Sequence, residues 1–256
     1  LDLGVPSDAT VTTAKLASDS VTYEKIGYNA NPYRNIIING DMSQAQRSTS
    51  VASITGSGYN TVDRYRLEIS SLGTWTQSQS TDVPTGQGFA KSLKMDCTTA
   101  DASPGTSDYI FIGQKFEGQN LQYLKKGTSS AESLTLSFWV KSNKTGTYVV
   151  EIRDADNDRN ICKSYTISSS NTWEKKELTF AGDTTGSLGN DNGDSLNCTW
   201  WLAAGTDFTS GTLATSWEAR NNTDRAVGQV NLADSTSNEW YITGVQLEAG
   251  TSASDF

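Results

Sequence analysis

Apolar residues recur at every second position in short runs along most of this chain. Gly, Asn, Asp and Ser separate the runs. This is the period of half-buried strands, not of helices. The clearest run is 134–141, where Leu134, Leu136, Phe138 and Val140 share one face and Trp139 takes the other. Asn143 to Gly146 then supplies turn chemistry, so 148–153 reads as the returning strand of a hairpin. Asn35, Ile36, Ile37, Ile38 and Asn39 form an apolar run that ends in Gly40 and Asp41, which reads as a buried strand. Further strands are expected at 65–69, 74–78, 89–98, 109–112, 161–167, 173–180, 198–203 and 240–248. The series makes about eleven strands at the spacing of a sandwich or jelly roll. No amphipathic helix is expected, beyond one turn or two within 117–126. Long loops fall at 41–61, 99–108, 181–197 and 204–238, the last carrying Trp217. Loops of this length are commonly functional.

The first 34 residues follow a different rule. Val11, Thr12, Thr13, Ala14, Lys15 and Leu16 recur ten residues later as Val21, Thr22, Tyr23, Glu24, Lys25 and Ile26. Two such short copies cannot enclose a core, so they need stacked neighbours. In so polar a chain, the same segment on other chains is the favoured neighbour, with a disordered linker as the alternative. The chain therefore divides into a stem at 1–34 and an all-β domain at 35–256, an antiparallel β-sandwich or jelly roll.

Composition narrows the function. A net charge of −9 disfavours nucleic acid and anionic membranes as partners. No apolar run approaches the roughly 20 residues of a membrane-spanning helix, so no membrane insertion is expected. Histidine is absent, which removes the commonest general base and excludes His-based triads. Cys97, Cys162 and Cys198 lack metal spacing and sit in strand-like runs, so they read as buried free thiols in a protein made in a cytoplasm. No phosphate-binding loop, dinucleotide motif or serine elbow occurs. None of the 29 acids sits in a motif with a mechanistic reason for pairing, and the chain is not expected to be an enzyme.

Two sets of side chains are candidates for binding. Trp75 in a polar strand, Trp217 in a loop and Trp139 on the far side of its strand are sugar-platform candidates, since a pyranose stacks on an aromatic ring. Trp200 and Trp201 must face opposite ways on one strand. Asp154, Asp156 and Asp158 alternate as hard oxygen ligands toward one face, a candidate structural calcium site. A solvated turn after the 148–153 strand is the alternative reading.

Several of these segments resemble phage tail fibre proteins. The stretch 9–26 is similar to the V-T-T-A-K-L repeats that precede distal fibre regions. The segment 35–42, with Asp63, Arg64 and Tyr65, resembles the entry to a domain common in tail and fibre proteins. The segment 240–250 resembles that domain's closing strand, and 226–234 is similar to marine phage versions. The resemblance implies a jelly roll similar to carbohydrate-binding modules, carried on a homotrimeric fibre in the virion. Its partners would be its own copies, other tail proteins held through the N-terminal stem, and a host surface glycan. Two alternatives stand beside this reading: a structural virion component without ligand, and a fibre-borne glycan depolymerase.

Overall fold

Strand periodicity is realised from Asn35 to Phe256, the part that the computed structural model describes as one compact unit. The stem and its repeat lie outside the described residues. Twelve strands follow in order: β1 (Ser50–Ile54), β2 (Arg66–Ser70), β3 (Thr74–Ser80), β4 (Ser92–Thr99), β5 (Tyr109–Glu117), β6 (Leu134–Ser142), β7 (Gly146–Asp154), β8 (Arg159–Ile167), β9 (Glu174–Phe180), β10 (Asp194–Ala204), β11 (Glu218–Ala219) and β12 (Glu239–Ala249). Sheet I has the order β1-β3-β4-β12-β6-β9, and sheet II the order β11-β8-β7-β10-β5-β2. The two antiparallel sheets form an all-β sandwich of jelly-roll type. Two short 3-10 turns occupy Gly118–Asn120 and Gln122–Leu124.

The core lies between the sheets. Leu134, Leu136, Phe138 and Val140 all point into it, as their alternation predicts. Phe138 of sheet I meets Trp200 and Tyr165 of sheet II edge-on, at 5.8 and 5.1 Å between ring centres. Trp201, one residue on, faces outward instead. A second apolar cluster covers it, built from Val149, Cys162, Phe208, Ala214 and Ala226. The long 204–238 segment supplies that cover, with the short helix α1 (Thr206–Thr209) inside it. All three cysteines are free and buried. Burial pushes the Cys97 thiol up to about 11.

Some expectations fail. The 41–61 and 204–238 loops hold β1 and β11. The strands 134–141 and 148–153 do not form a hairpin. β6 pairs with β12 and β9, whereas β7 pairs with β8 and β10, so the 143–145 connection crosses between sheets. Each strand carries large apolar side chains on its inward face, and these need an opposing layer rather than a neighbour in the same layer. Asn143 ties the crossing to β12, accepting from the Glu239 amide at 2.8 Å. The true hairpin is β7–β8, closed by 155–158 with Asp158 at φ 48°. The 35–39 run is not a strand either. The Asn35 carboxamide oxygen accepts from the Ile37 and Leu247 amides, and its Nδ2 donates to the Val245 carbonyl. Gln114 grips both backbone groups of Ile38, at 2.7 and 2.9 Å. Side chains thus satisfy backbone groups that a ladder would otherwise take.

One end of the sandwich is closed by buried charge. Lys126 reaches Asp154 and also Asp183 at 3.0 Å, and its ammonium donates to the Thr185 and Gly186 carbonyls. Arg159 adds a two-pronged contact to Asp183 at 2.8 and 3.1 Å. Burial by itself would raise the Asp183 carboxyl, but hydrogen bonds from Arg159 and Lys126 outweigh it and hold the group below its ordinary value. A depressed carboxylate contributes stability that is present above its unfolded value and is lost as pH falls through its folded value. Thermal melts should therefore be flat from neutral pH down to about pH 5 and fall below about pH 4. Asp183→Asn should shrink that acid-side slope; an unchanged slope would place the effect elsewhere.

Candidate functional site

The outer face of sheet II is built from polar side chains that strand register sets in rows. On β10, Cys198 and Trp200 point into the core, so Asn197, Thr199 and Trp201 point outward. Asn197 lies between Lys115 of β5 and Arg153 of β7. Thr199 lies between Gly113 and Glu151, and Arg66 of β2 faces Gly113 from the other side. These rows floor a shallow, open cleft of about 80 Å³, which seats part of a ligand rather than enclosing a whole one. A Cβ on Gly113 would lie 2.6 Å from the Cys198 carbonyl oxygen and 2.9 Å from the Thr199 hydroxyl. The floor is low there because only glycine fits.

Ion pairs frame the cleft, one of them buried. Glu151 is 1% exposed and takes two parallel bonds from Arg225, at 2.9 and 3.0 Å. Trp201 donates to the same carboxylate at 3.2 Å, and the Arg225 guanidinium lies 4.9 Å from the Trp201 ring centre. Arg225 arrives from the turn Asn222–Asp224, so the 204–238 segment positions it. Arg66 pairs with Glu68, and that hydrogen bond raises the guanidinium above its ordinary value. An aromatic ridge runs along one side: Tyr109 stacks on Phe111 at 5.3 Å, and Phe111 meets Trp201 at 4.9 Å. Beyond Arg66 stands Tyr59, an exposed ring with Arg66 and Arg47 5.8 and 5.4 Å from its centre.

Two donors in this cleft have no partner. Asn197 is 8% exposed, and its Nδ2 is buried without a hydrogen bond; the Nε of Arg153 beside it is also unpaired. Orphaned buried donors cost about 1–3 kcal/mol each and call for an explanation in any folded protein.

The expected site residues lie elsewhere. Trp75 is fully buried in sheet I, with Nε1 donating to the Leu72 carbonyl at 2.8 Å; no ligand reaches it. Polar neighbours made its strand look exposed, but the alternate positions Trp75 and Gln77 both point inward. Trp217 is half-buried against the core, donates to the Ala181 carbonyl at 2.7 Å and covers the Lys126 ammonium at 5.1 Å. It shields the buried charges and lines a small separate cleft with Glu132, Leu134 and Ala181. Trp139 is half-buried on the outer face of sheet I, remote from the cleft.

The three aspartates are not brought to a common point. Asp154 is buried against Lys126, Asp156 accepts from the Gly189 amide at 2.8 Å, and Asp158 accepts from Arg220 at 2.6 Å. Alternation suggested one face, but the hairpin turn fans them apart. Among the described residues no group of three or more His, Cys, Asp or Glu side chains is placed to hold a metal ion. No helix among them is long and apolar enough to cross a membrane.

The cleft residues were partly visible in the sequence. Glu151 and Arg153 interrupt an apolar strand, and Asn197 and Thr199 alternate with core residues. Arg225, in a loop, carried no such signal.

No protein-family model matches the chain, and no curated protein sequence matches it. Solved structures similar to it include the enzymatically active domain of bacteriophage CBA120 tailspike protein 4, at 16% identity and a TM-score of 0.43 over 86% of this chain. That match spans 22% of the tailspike chain. The carbohydrate-binding module TmCBM61, in complex with β-1,4-galactotriose, is similar at 9% identity and a TM-score of 0.41, over 84% of this chain and 99% of that one. A family 11 carbohydrate-binding module from Clostridium thermocellum, in complex with a mixed-linked tetrasaccharide, is similar at 13% identity and a TM-score of 0.36, over 80% of this chain and 99% of that one.

Proposed function

We propose that the described domain binds a host surface glycan through the cleft on the outer face of sheet II, as the distal part of a virion attachment fibre. The observation that carries the binding half is the unpartnered Nδ2 of Asn197 on the cleft floor. A buried donor left unpaired calls for a partner, and beside the cleft a ligand's acceptor would supply it. Phe111 in the lining and the exposed ring of Tyr59 beyond Arg66 supply apolar ring surface, which suits the mixed surface of a pyranose. The fibre half rests on the V-T-T-A-K-L-type repeat and the closing segment 240–250. A homotrimer of weak sites would gain avidity through effective concentration.

Binding without cleavage is favoured over a depolymerase. Both carboxylates of the cleft are committed, Glu151 to Arg225 and Trp201, and Glu68 to Arg66. Glycoside hydrolysis needs one carboxyl to hold a proton and a second to stay free.

The test is a glycan array with the full chain, followed by titration of the best ligand against the wild type and Asn197→Leu. The variant should lose at least tenfold in affinity. It should also melt at the same or a higher temperature, because it removes an unsatisfied buried group. Unchanged affinity in the variant would remove the cleft from the argument. Failure of every glycan, with light scattering reporting a monomer, would leave the structural-component reading in its place.

A further inference from the structure

We infer that the cleft selects an anionic sugar, one carrying a carboxylate or a sulfate ester. This inference rests on the glycan-binding reading and names its ligand class. Four cations line the cleft, Arg66, Lys115, Arg153 and Arg225, against two carboxylates, Glu68 and Glu151. The lining is thus positive on a chain whose net charge is −9.

The hydrogen-bonding inventory points the same way. The two buried polar atoms of the lining that lack a partner, Nδ2 of Asn197 and Nε of Arg153, are both donors. The acceptors of the lining carboxylates already face Arg66, Arg225 and Trp201. A neutral sugar offers hydroxyls that both donate and accept, and the acceptors left for their protons are the Asn197 carboxamide oxygen and the Thr199 hydroxyl. A carboxylate or sulfate only accepts. Register places Asn197 between Lys115 and Arg153, so an anion above it meets an amide donor flanked by two cations.

Those two cations are available. Lys115 reaches Asp194 at 2.9 Å and Arg153 reaches Asp158 at 3.3 Å, but all four of these side chains are at least a third exposed. Exposed pairs of this kind hold weakly and exchange partners readily. The Glu151–Arg225 pair is buried and stays in place as the wall.

The experiment is a set of matched probes titrated against the full chain. Oligogalacturonate is compared with its methyl ester, alginate with its carboxyl-reduced form, and chondroitin sulfate with its desulfated form. At least one acidic member should bind tenfold or more tightly than its neutral partner. The preference should shrink between 50 and 500 mM salt and fall severalfold in Arg153→Gln. The galacturonate and alginate arms separate a carboxylate from the sulfate read in the chondroitin arm. Equal binding of acidic and neutral members, abolished by Asn197→Leu, overturns the anionic inference and keeps the glycan-binding cleft. Binding of no probe and no array glycan overturns both.

Discussion

Lys126→Met should lower the unfolding free energy by about 3–5 kcal/mol, the cost of leaving a buried charge without its counter-ion. Lys126 is the shared cation of Asp154 and Asp183, whose side chains are 0% and 3% exposed. Arg159 remains for Asp183 in the variant. Asp154 keeps the neutral donors of Asn157 and only the unbonded field of Arg159 across the strand pair, so the under-compensated charge is its own. The ammonium also ties the 185–186 carbonyls to the sandwich, and those acceptors lose their donor. Against a typical domain stability of about 5–15 kcal/mol, the loss is large enough to read in urea at neutral pH. Adding Asp154→Asn should recover part of it, because it neutralises the stranded carboxylate. Lys125→Met is the contrast: its partner is Glu132, in a pair whose side chains are 54% and 40% exposed, and it should cost under about 1 kcal/mol. Equal effects at the two lysines would show that the buried network contributes no more than a surface pair.

Trp75→Ala should cost about 3–5 kcal/mol, the range for removing a large aromatic from a packed core. The ring is fully buried, and its one polar atom is satisfied by the Leu72 carbonyl. Truncation leaves a cavity between the sheets and an unpaired acceptor. Glycan affinity per folded molecule should stay unchanged, because Trp75 belongs to sheet I and the cleft to the outer face of sheet II. Trp139→Ala, at a half-buried position on the outer face of sheet I, should cost about 1 kcal/mol or less. Chemical denaturation read beside titration of the best array ligand separates the two roles. A Trp75→Ala protein of unaltered stability that fails to bind would return this residue to the ligand.

Trp75 shows where reading by neighbours goes wrong. Thr74, Thr76 and Ser78 made its strand look exposed, yet strand geometry sends Trp75 and Gln77 to the opposite face from them. The polar alternation was itself the mark of one buried side. Trp200 and Trp201 illustrate the converse. Their opposite orientations follow from adjacency on a strand, but only the second cluster beneath the 204–238 segment explains why both are buried. The β6–β7 connection failed for a related reason. A turn sequence states that the chain reverses, not whether the next strand lies beside the first or beneath it.

Local periodicity therefore carried the strand series, the inward faces, the turn-rich connections and the all-β class. These depend on which residues alternate within one segment, and alternation is a property of neighbours in the chain. Sheet membership, the covered outer face and the cleft were settled by tertiary structure alone. Asn197 becomes a candidate ligand donor because strands from distant parts of the sequence put Lys115 and Arg153 on either side of it and bring no acceptor to its amide. Whether a polar group is satisfied depends on everything that surrounds it, and a linear pattern records only what precedes and follows it.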